Sequence, residues 1–244
     1  IHFAMSQAKN NIIMISGPAP EVGKSFISTN LATILAQSNK RVLIIDGDMR
    51  RGYLHKYFNS DTQPGLAEYL NTQQTLESII KPTEVDNLDV ITRGKSPVNP
   101  SELLSSAKLS ELLDQVSPLY DHIIIDTPPV LAVTDGIIIS QYAGVNLVIA
   151  RYAKSQMKEL ELTINRFEQV GVKVNGFILN DIQRATGGYG YGYNYGSSAS
   201  ACASIYVTVT GSSGYGNITF SQSNVSLNNN QNTTISIYSN NPNL

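Results

Sequence analysis

The 244-residue chain has a single cysteine, Cys202, three histidines, and no lysine, arginine, aspartate or glutamate after Arg184. One cysteine excludes a disulfide framework and a cysteine-based zinc site, and it fits a reducing compartment. His2, His55 and His122 stand apart, with no second ligand at metal spacing. No apolar run reaches the roughly 18 residues of a membrane span; the strongest, residues 123–133, is interrupted by Asp126, Pro128 and Pro129. With 17 basic against 19 acidic residues, net charge −2, there is no basic footprint for nucleic acid, which is excluded as a partner. No signal-peptide pattern opens the chain, and a start at Ile1 rather than Met reads as a fragment of a longer protein.

The missing charge divides the sequence. Residues 1–184 carry every charged side chain and are long enough to bury one substantial core. Residues 185–196 are a Gly/Tyr-rich segment, and residues 197–244 an uncharged, Ser/Asn-rich stretch of separate character.

Within the first part, β-branched runs alternate with amphipathic ones. Residues 11–16 (NIIMIS), 41–45 (RVLII), 88–92, 122–125, 145–150 and 174–179 read as strands that are apolar without alternation. Between them, Ile27, Leu31, Ile34 and Leu35 place one apolar face on a helix over 25–38, with Asn39 as its stop. Leu109, Leu112, Leu113 and Val116 line a second helix that ends before Pro118, and Met157, Leu160, Ile164 and Phe167 a third that ends at Gly171. The pattern predicts an α/β fold with a doubly wound, mostly parallel sheet. Ligands of such sheets bind beyond the carboxyl ends of the strands, so functional side chains are expected just after the apolar runs.

After the first strand comes Gly17-Pro18-Ala19-Pro20-Glu21-Val22-Gly23-Lys24-Ser25, running through Phe26 into a helix. A phosphate-wrapping loop needs inward N–H groups, a helix N-terminus, a lysine for the β/γ-phosphates and a hydroxyl for Mg²⁺. Gly23, Lys24 and Ser25 supply the diagnostic end, although Gly17 lies one residue too early for the strict motif and Pro18 holds the usual glycine slot. Glu21 fits a loop meant for anions only if its carboxylate turns outward. The second strand ends in Asp46-Gly-Asp48-Met-Arg50, where alternate positions let both carboxylates face one way. A later strand ends in Asp126-Thr-Pro-Pro, the position of an acid that holds Mg²⁺ or its water. Each signal alone has a bland reading as a polar turn. Together, at one sheet edge, they indicate ATP or a related nucleotide with Mg²⁺, and leave ATPase, GTPase and kinase chemistry open.

These motifs, in this order, resemble the bacterial tyrosine kinases (BY-kinases) of capsule and exopolysaccharide export, the Wzc-like co-polymerase proteins. That family carries a Walker A loop, an A-prime motif of the form apolar-apolar-D-x-D-x-R, and a Walker B ending D-[ST]-P-P. Arg93-Gly94 with residues 99–104 (NPSELL), and Thr134-Asp135, match further, so the resemblance covers about residues 1–196. It implies a P-loop NTPase fold related to the ParA/MinD proteins. It also implies that Lys24 neutralises phosphates, that Ser25 ligates Mg²⁺, that Asp46 is the base for an incoming tyrosine, and that Asp48 and Asp126, with Asp46 beside them, hold the metal. Arg50 belongs to the same catalytic motif, Asn180 lies near the adenine, and Tyr53 and Arg93 regulate access to the site. The partners it implies are ATP and ADP, further copies of the chain in a ring, a membrane-spanning co-polymerase portion and a tyrosine phosphatase. The place it implies is the cytoplasmic face of the bacterial inner membrane. The E-x-x-R-x-x-R helix that the family uses in ring contacts is absent.

The Gly/Tyr-rich segment holds Tyr189, Tyr191, Tyr193 and Tyr195, separated by glycine or asparagine. From Asp181 to Tyr195 an extended chain spans at most roughly 45–50 Å, enough to reach a neighbouring active site, and the resemblance makes these tyrosines the phosphoacceptors. Four phosphates would add about −6 to −8 charges. Beyond Gly196, Ile205/Val207/Val209, Ile218/Phe220, Val225/Leu227 and Ile235/Ile237 alternate like short strands. Two other functions remain open on the sequence: a ParA/MinD-like switch ATPase, disfavoured because the loop has Pro18 and Ala19 where an early lysine is needed, and a non-catalytic nucleotide-bound scaffold of polysaccharide polymerisation.

Overall fold

The apolar runs assemble into one sheet. A computed structural model of the chain describes residues 5–6, 8–181, 205–207 and 236–237. The strands are β1 (Ile12–Ser16), β2 (Val42–Asp46), β3 (Ile80–Pro82), β4 (Leu88–Ile91), β5 (His122–Asp126), β6 (Val145–Arg151), β7 (Gly176–Asn180), β8 (Ile205–Val207) and β9 (Ser236–Ile237). Their order is β3-β4-β2-β5-β1-β6-β7-β8-β9. From β4 to β7 every pairing is parallel. The edge strand β3 runs antiparallel to β4, and β8 antiparallel to β7.

The helices are α1 (Lys24–Gln37), α2 (Leu54–Tyr57), α3 (Leu66–Asn71), α4 (Leu76–Ile79), α5 (Pro100–Leu104), α6 (Ala107–Val116), α7 (Asp135–Ser140) and α8 (Met157–Glu168). Because successive strand residues face opposite ways, two cores form. Ile13, Ile15, Ile44, Ile124 and Leu147 pack beneath α1, whereas Met14, Leu43, Ile45, Ile123 and Ile125 meet α6 and α8 through Leu112, Leu113, Leu160 and Phe167. A strand buried on both sides cannot alternate, which is why these runs are continuously apolar. Among the described residues no helix is long and apolar enough to cross a membrane.

The predicted ends of two helices hold in detail: Asn39 and Gly171 both take left-handed backbone, φ 58° and 71°. The predicted face of α1 holds at Ile27, which is buried, and at Leu31 and Leu35, which are half-buried against the same core, but not at Ile34. Lys24, Ile27, Ser28, Ala32 and Ala36 are its buried residues, and Ile34 is 53% exposed. The helix is turned toward its small residues because Ser28 bonds to the end of β5 and the alanines let the helix approach the sheet closely. Ile205–Val207 is a strand, as its alternation predicts, and so is Ser236–Ile237, while Ile235 of the second predicted alternation lies outside the described residues. The four-tyrosine cluster, Val209 and the strand candidates over 218–227 lie outside the described residues.

β1 is the switch point of the winding, since the chain moves from it toward β2 and β4 on one side and toward β6 and β7 on the other. The loops after β1, β2 and β5 therefore open at a common edge.

Candidate functional site

The loop between β1 and α1 is held from behind. Gly17 is packed so closely that a Cβ would lie 2.7 Å from Val22 Cγ2 and 2.9 Å from the Ile149 carbonyl. Its own carbonyl accepts from Val130 N at 2.9 Å, which ties the loop to the segment following β5. Arg151 Nη1 donates to the Glu21 carbonyl and Asn180 Nδ2 to the Val22 carbonyl, each at 3.0 Å. In a trans peptide the carbonyl and the next amide point opposite ways, so pinning these two carbonyls turns the Val22 and Gly23 amides to the other side. Glu21 takes a left-handed φ of 60° and its side chain is exposed, as an anion-binding loop requires. Gly23 (φ 95°) opens α1. Pro18 and Pro20 contribute no amide protons.

Lys24 is almost wholly buried at the start of α1, and burial pulls its ammonium below the ordinary lysine value against the opposing pull of Asp126 and Asp48. Ser25 Oγ donates to Asp126 Oδ2 at 2.5 Å, and Ser28 Oγ to Asp126 Oδ1 at 3.0 Å. Both oxygens of the β5 carboxylate are thus gathered by the first turn of α1. Asp126 is 1% exposed, and burial pushes its carboxyl up to about 6 although both serines and Lys24 favour the charged form.

Asp46 sits in register beside Asp126 on the adjacent strand. Burial first and the Asp126 charge second push its carboxyl well above the usual range. Its Oδ2 accepts from Leu54 N at 3.0 Å, while its Oδ1 is buried with no protein partner. Two residues on, Asp48 Oδ1 accepts from Arg50 N at 3.2 Å and from Arg51 N at 2.8 Å. The predicted acids and the lysine therefore form one coupled group.

The other predicted residues take distinct places. Arg50 turns its guanidinium to Asp135, Nε to Oδ2 at 2.9 Å. Arg93 Nη1 donates to the Arg50 carbonyl at 3.1 Å. Tyr53, 45% exposed, stacks on Tyr57 with ring centroids 5.7 Å apart. Phe26 is exposed on the first turn of α1, and Asn180 touches the phosphate loop through Val22. Sequence reasoning assigned no role to Ser28, Asp135, Ser101, Tyr57 or Arg151. The partners of Ser28, Asp135, Ser101 and Arg151 lie far away along the chain, Tyr57 meets Tyr53 one helical turn back, and only Ser101 and Asp135 fall within matching motifs.

A hard divalent cation seeks oxygen ligands. Ser25 Oγ, the Asp126 carboxylate and the partnerless Asp46 Oδ1 make such a donor set, and they fit Mg²⁺. Among the described residues no three acidic, histidine or cysteine side chains converge to hold a metal unaided.

The parallel sheet, the switch-point loop with its buried lysine, and the acids at the ends of β2 and β5 define a P-loop nucleotide-binding domain. A model of the AAA domain family matches residues 10–175. The chain is 79% identical over 189 residues to "Tyrosine-protein kinase ptk" of Acinetobacter johnsonii, covering 78% of this chain and 26% of that protein. The kinase domain of the Escherichia coli tyrosine kinase ETK superposes with a TM-score of 0.74 at 46% identity, covering 80% of this chain and 76% of the other. The septum site-determining protein MinD of Pyrococcus horikoshii, complexed with Mg-ADP, shares the fold with a TM-score of 0.60 at 23% identity, covering 70% of each chain. The chain belongs to the bacterial tyrosine-protein kinase family, and its folded unit is the kinase domain of that family. It spans about a quarter of the length of the curated relatives it matches, 26% in the first of them.

Proposed function

We propose that the chain is the catalytic part of an ATP- and Mg²⁺-dependent tyrosine kinase whose acceptors are its own tyrosines Tyr189, Tyr191, Tyr193 and Tyr195. The observation that carries this reading is the joining of Lys24, Ser25, Asp126, Asp46 and Asp48 at one sheet edge in a chain of this family. The loop 17–25 and the buried Lys24 bind and neutralise the β- and γ-phosphates. Ser25, Asp126, Asp48 and the partnerless Asp46 Oδ1 would hold Mg²⁺, which would offset charge on the phosphoryl group. The tyrosine oxygen forms a bond to the γ-phosphorus as the bond to the β,γ-bridging oxygen breaks, ADP leaves, and Asp46 takes the phenolic proton. A carboxyl pushed upward by burial suits that proton acceptor better than an ordinary aspartate. Arg151 and Asn180 hold the outer wall of the loop, with Asn180 toward the adenine, while Tyr53 and Arg93 border the entrance.

The length of residues 181–195 supports transfer between copies, and four phosphates on an uncharged segment would loosen a ring by repulsion. By similarity to the family, the chain works at the cytoplasmic face of the inner membrane beside a membrane-spanning portion. There it would regulate capsule or exopolysaccharide export, with a tyrosine phosphatase removing its phosphates.

The test is incubation with labelled ATP and Mg²⁺ of the chain, of Lys24→Met, and of a variant with Tyr189, Tyr191, Tyr193 and Tyr195 changed to Phe. Label on the chain that disappears in both variants is expected. Phosphate released to water with no labelled protein would instead establish a switch ATPase, and bound nucleotide with neither product a scaffold.

A further inference from the structure

Arg50 ends a motif whose two carboxylates face the phosphate loop, yet its own side chain is committed elsewhere. Its Nε donates to Asp135 Oδ2 at 2.9 Å and its Nη2 to Asp135 Oδ1 at 3.2 Å and to Ser101 Oγ at 3.1 Å. Ser101 Oγ donates in turn to Asp135 Oδ1 at 2.5 Å. Asp135 is fully buried and is the first residue of α7, at the end of the segment that leaves Asp126. Both its oxygens are engaged by partners from α5 and from the turn after β2.

That turn is built around Asp48. The amides of Arg50 and Arg51 hold Asp48 Oδ1, and Gly52 N donates to the Asp48 carbonyl at 2.7 Å. Arg93 and Ser96 brace it from a third side, through the carbonyls of Arg50 and Met49. The Arg50 guanidinium thereby anchors the peptide that fixes the Asp48 carboxylate, and it anchors that peptide to the helix following the Asp126 loop. A bidentate pair of a planar guanidinium with a buried carboxylate sets geometry as well as charge.

We propose that Arg50 is a positioning residue. Through Asp135, with Ser101 as a brace, it sets Asp48 for the divalent cation, and it does not contact the nucleotide phosphates. The proposal rests on the reading above that Asp48 serves the cation. It separates two uses of an arginine at this point of the motif: one that touches phosphate acts with or without metal, whereas one that positions a metal-binding carboxylate acts only when metal is present.

The experiment is ADP binding by calorimetry in Mg²⁺ and in EDTA, for the wild-type chain, Arg50→Met, Arg50→Lys, Asp135→Asn, and Arg50→Met with Asp135→Asn. Arg50 is 40% exposed in its side chain, so its variants keep the test readable if the buried Asp135→Asn misfolds. The expected result is a loss of about 10–100-fold in the Mg²⁺-dependent gain in affinity, typical of an outer-shell partner, with affinity in EDTA unchanged. Arg50→Lys should recover part of the gain, and the double variant should be no worse than the weaker single. Loss of ADP affinity in EDTA in Arg50→Met would overturn the proposal, as would additive single effects. If wild-type binding is indifferent to Mg²⁺, the cation reading and this proposal fall together. Mg²⁺-dependent ADP binding without labelled tyrosine sinks the kinase reading alone.

Discussion

Replacing Asp126 with asparagine should make the protein more stable at pH 8 while removing the phosphotransfer proposed for it. The carboxyl is 1% exposed, and burial moves its pKa from 3.8 to about 6. A shift of about two units at 1.36 kcal/mol each corresponds to about 3 kcal/mol held against the ionised form. The sign follows from proton uptake. Between pH 3.8 and about 6 the folded state binds the proton that the unfolded state has released, so stability rises as pH falls through this window. The penalty is therefore complete above about 6 and gone below 3.8. Asparagine keeps the shape of the protonated acid and has no such dependence.

The assay is thermal or urea unfolding of both proteins in EDTA at pH 8, 6 and 4. At pH 8 the asparagine variant should melt about 6–12 °C higher, given about 2–4 °C per kcal/mol for a domain of this size. The gap should close toward pH 4. Asp46, in register with Asp126 and raised partly by its charge, titrates with it, so the window belongs to the pair. A variant that is less stable at pH 8, or a gap constant across pH, would refute the assignment of strain to the buried carboxylate.

Three further outcomes follow from close packing. In Gly52→Ala the new Cβ would overlap Asp46 Oδ1 and lie 2.5 Å from Asp46 Cγ. Denaturant unfolding should show a cost of about 1–3 kcal/mol, and phosphotransfer should fall because the carboxylate must move. In Gly23→Ala a left-handed φ of 95° combines with overlap on Asn180 Nδ2. Strain of about 1–2 kcal/mol should weaken nucleotide binding by about 5–30-fold in equilibrium dialysis, and removing the Asn180 side chain should restore only part. Phe167→Ala, deep between α8 and the sheet, should cost about 3–5 kcal/mol in urea unfolding while nucleotide affinity at low temperature is unchanged.

How far such features could be read in advance depends on the range of the interactions. The continuously apolar runs of β1, β2, β5 and β6 announce a sheet covered on both faces, and the polar residues after them mark the site. Asp46, Asp126, Lys24 and Ser25 meet as expected because strand polarity alone brings them to one edge. What the sequence hides is contact across long separations. Arg50 and Asp135 lie 85 residues apart, and nothing local pairs them. Ser28 reads as a helix-face serine until Asp126 stands beside it. The rotation of α1, which leaves Ile34 exposed, comes from that same contact and from Ala32 and Ala36, neither visible in hydrophobic periodicity. Elements as short as α2, α5 and β3 carry less than two turns or a few alternations, too little pattern to detect.

The buried charges also say how the site should respond to its ligand. Lys24 faces Asp126 and Asp48, with Arg93 acting on Asp46 from outside, and burial disfavours the charged form of the lysine and of two of the acids. An arrangement with more acid than base, shielded from water, costs stability by itself. A divalent cation with nucleotide reverses that balance, since it supplies the missing positive charge and binds only the folded state. At a hundredfold excess over its dissociation constant such a ligand contributes about 2.7 kcal/mol. This is the size of the penalty worked out for Asp126. Wild-type protein saturated with Mg²⁺ and ADP should therefore melt close to the asparagine variant at pH 8, whereas the variant, lacking the carboxylate, should gain little. If ligand raised both melting points equally, the instability of the acids and the binding of the cation would be separate properties.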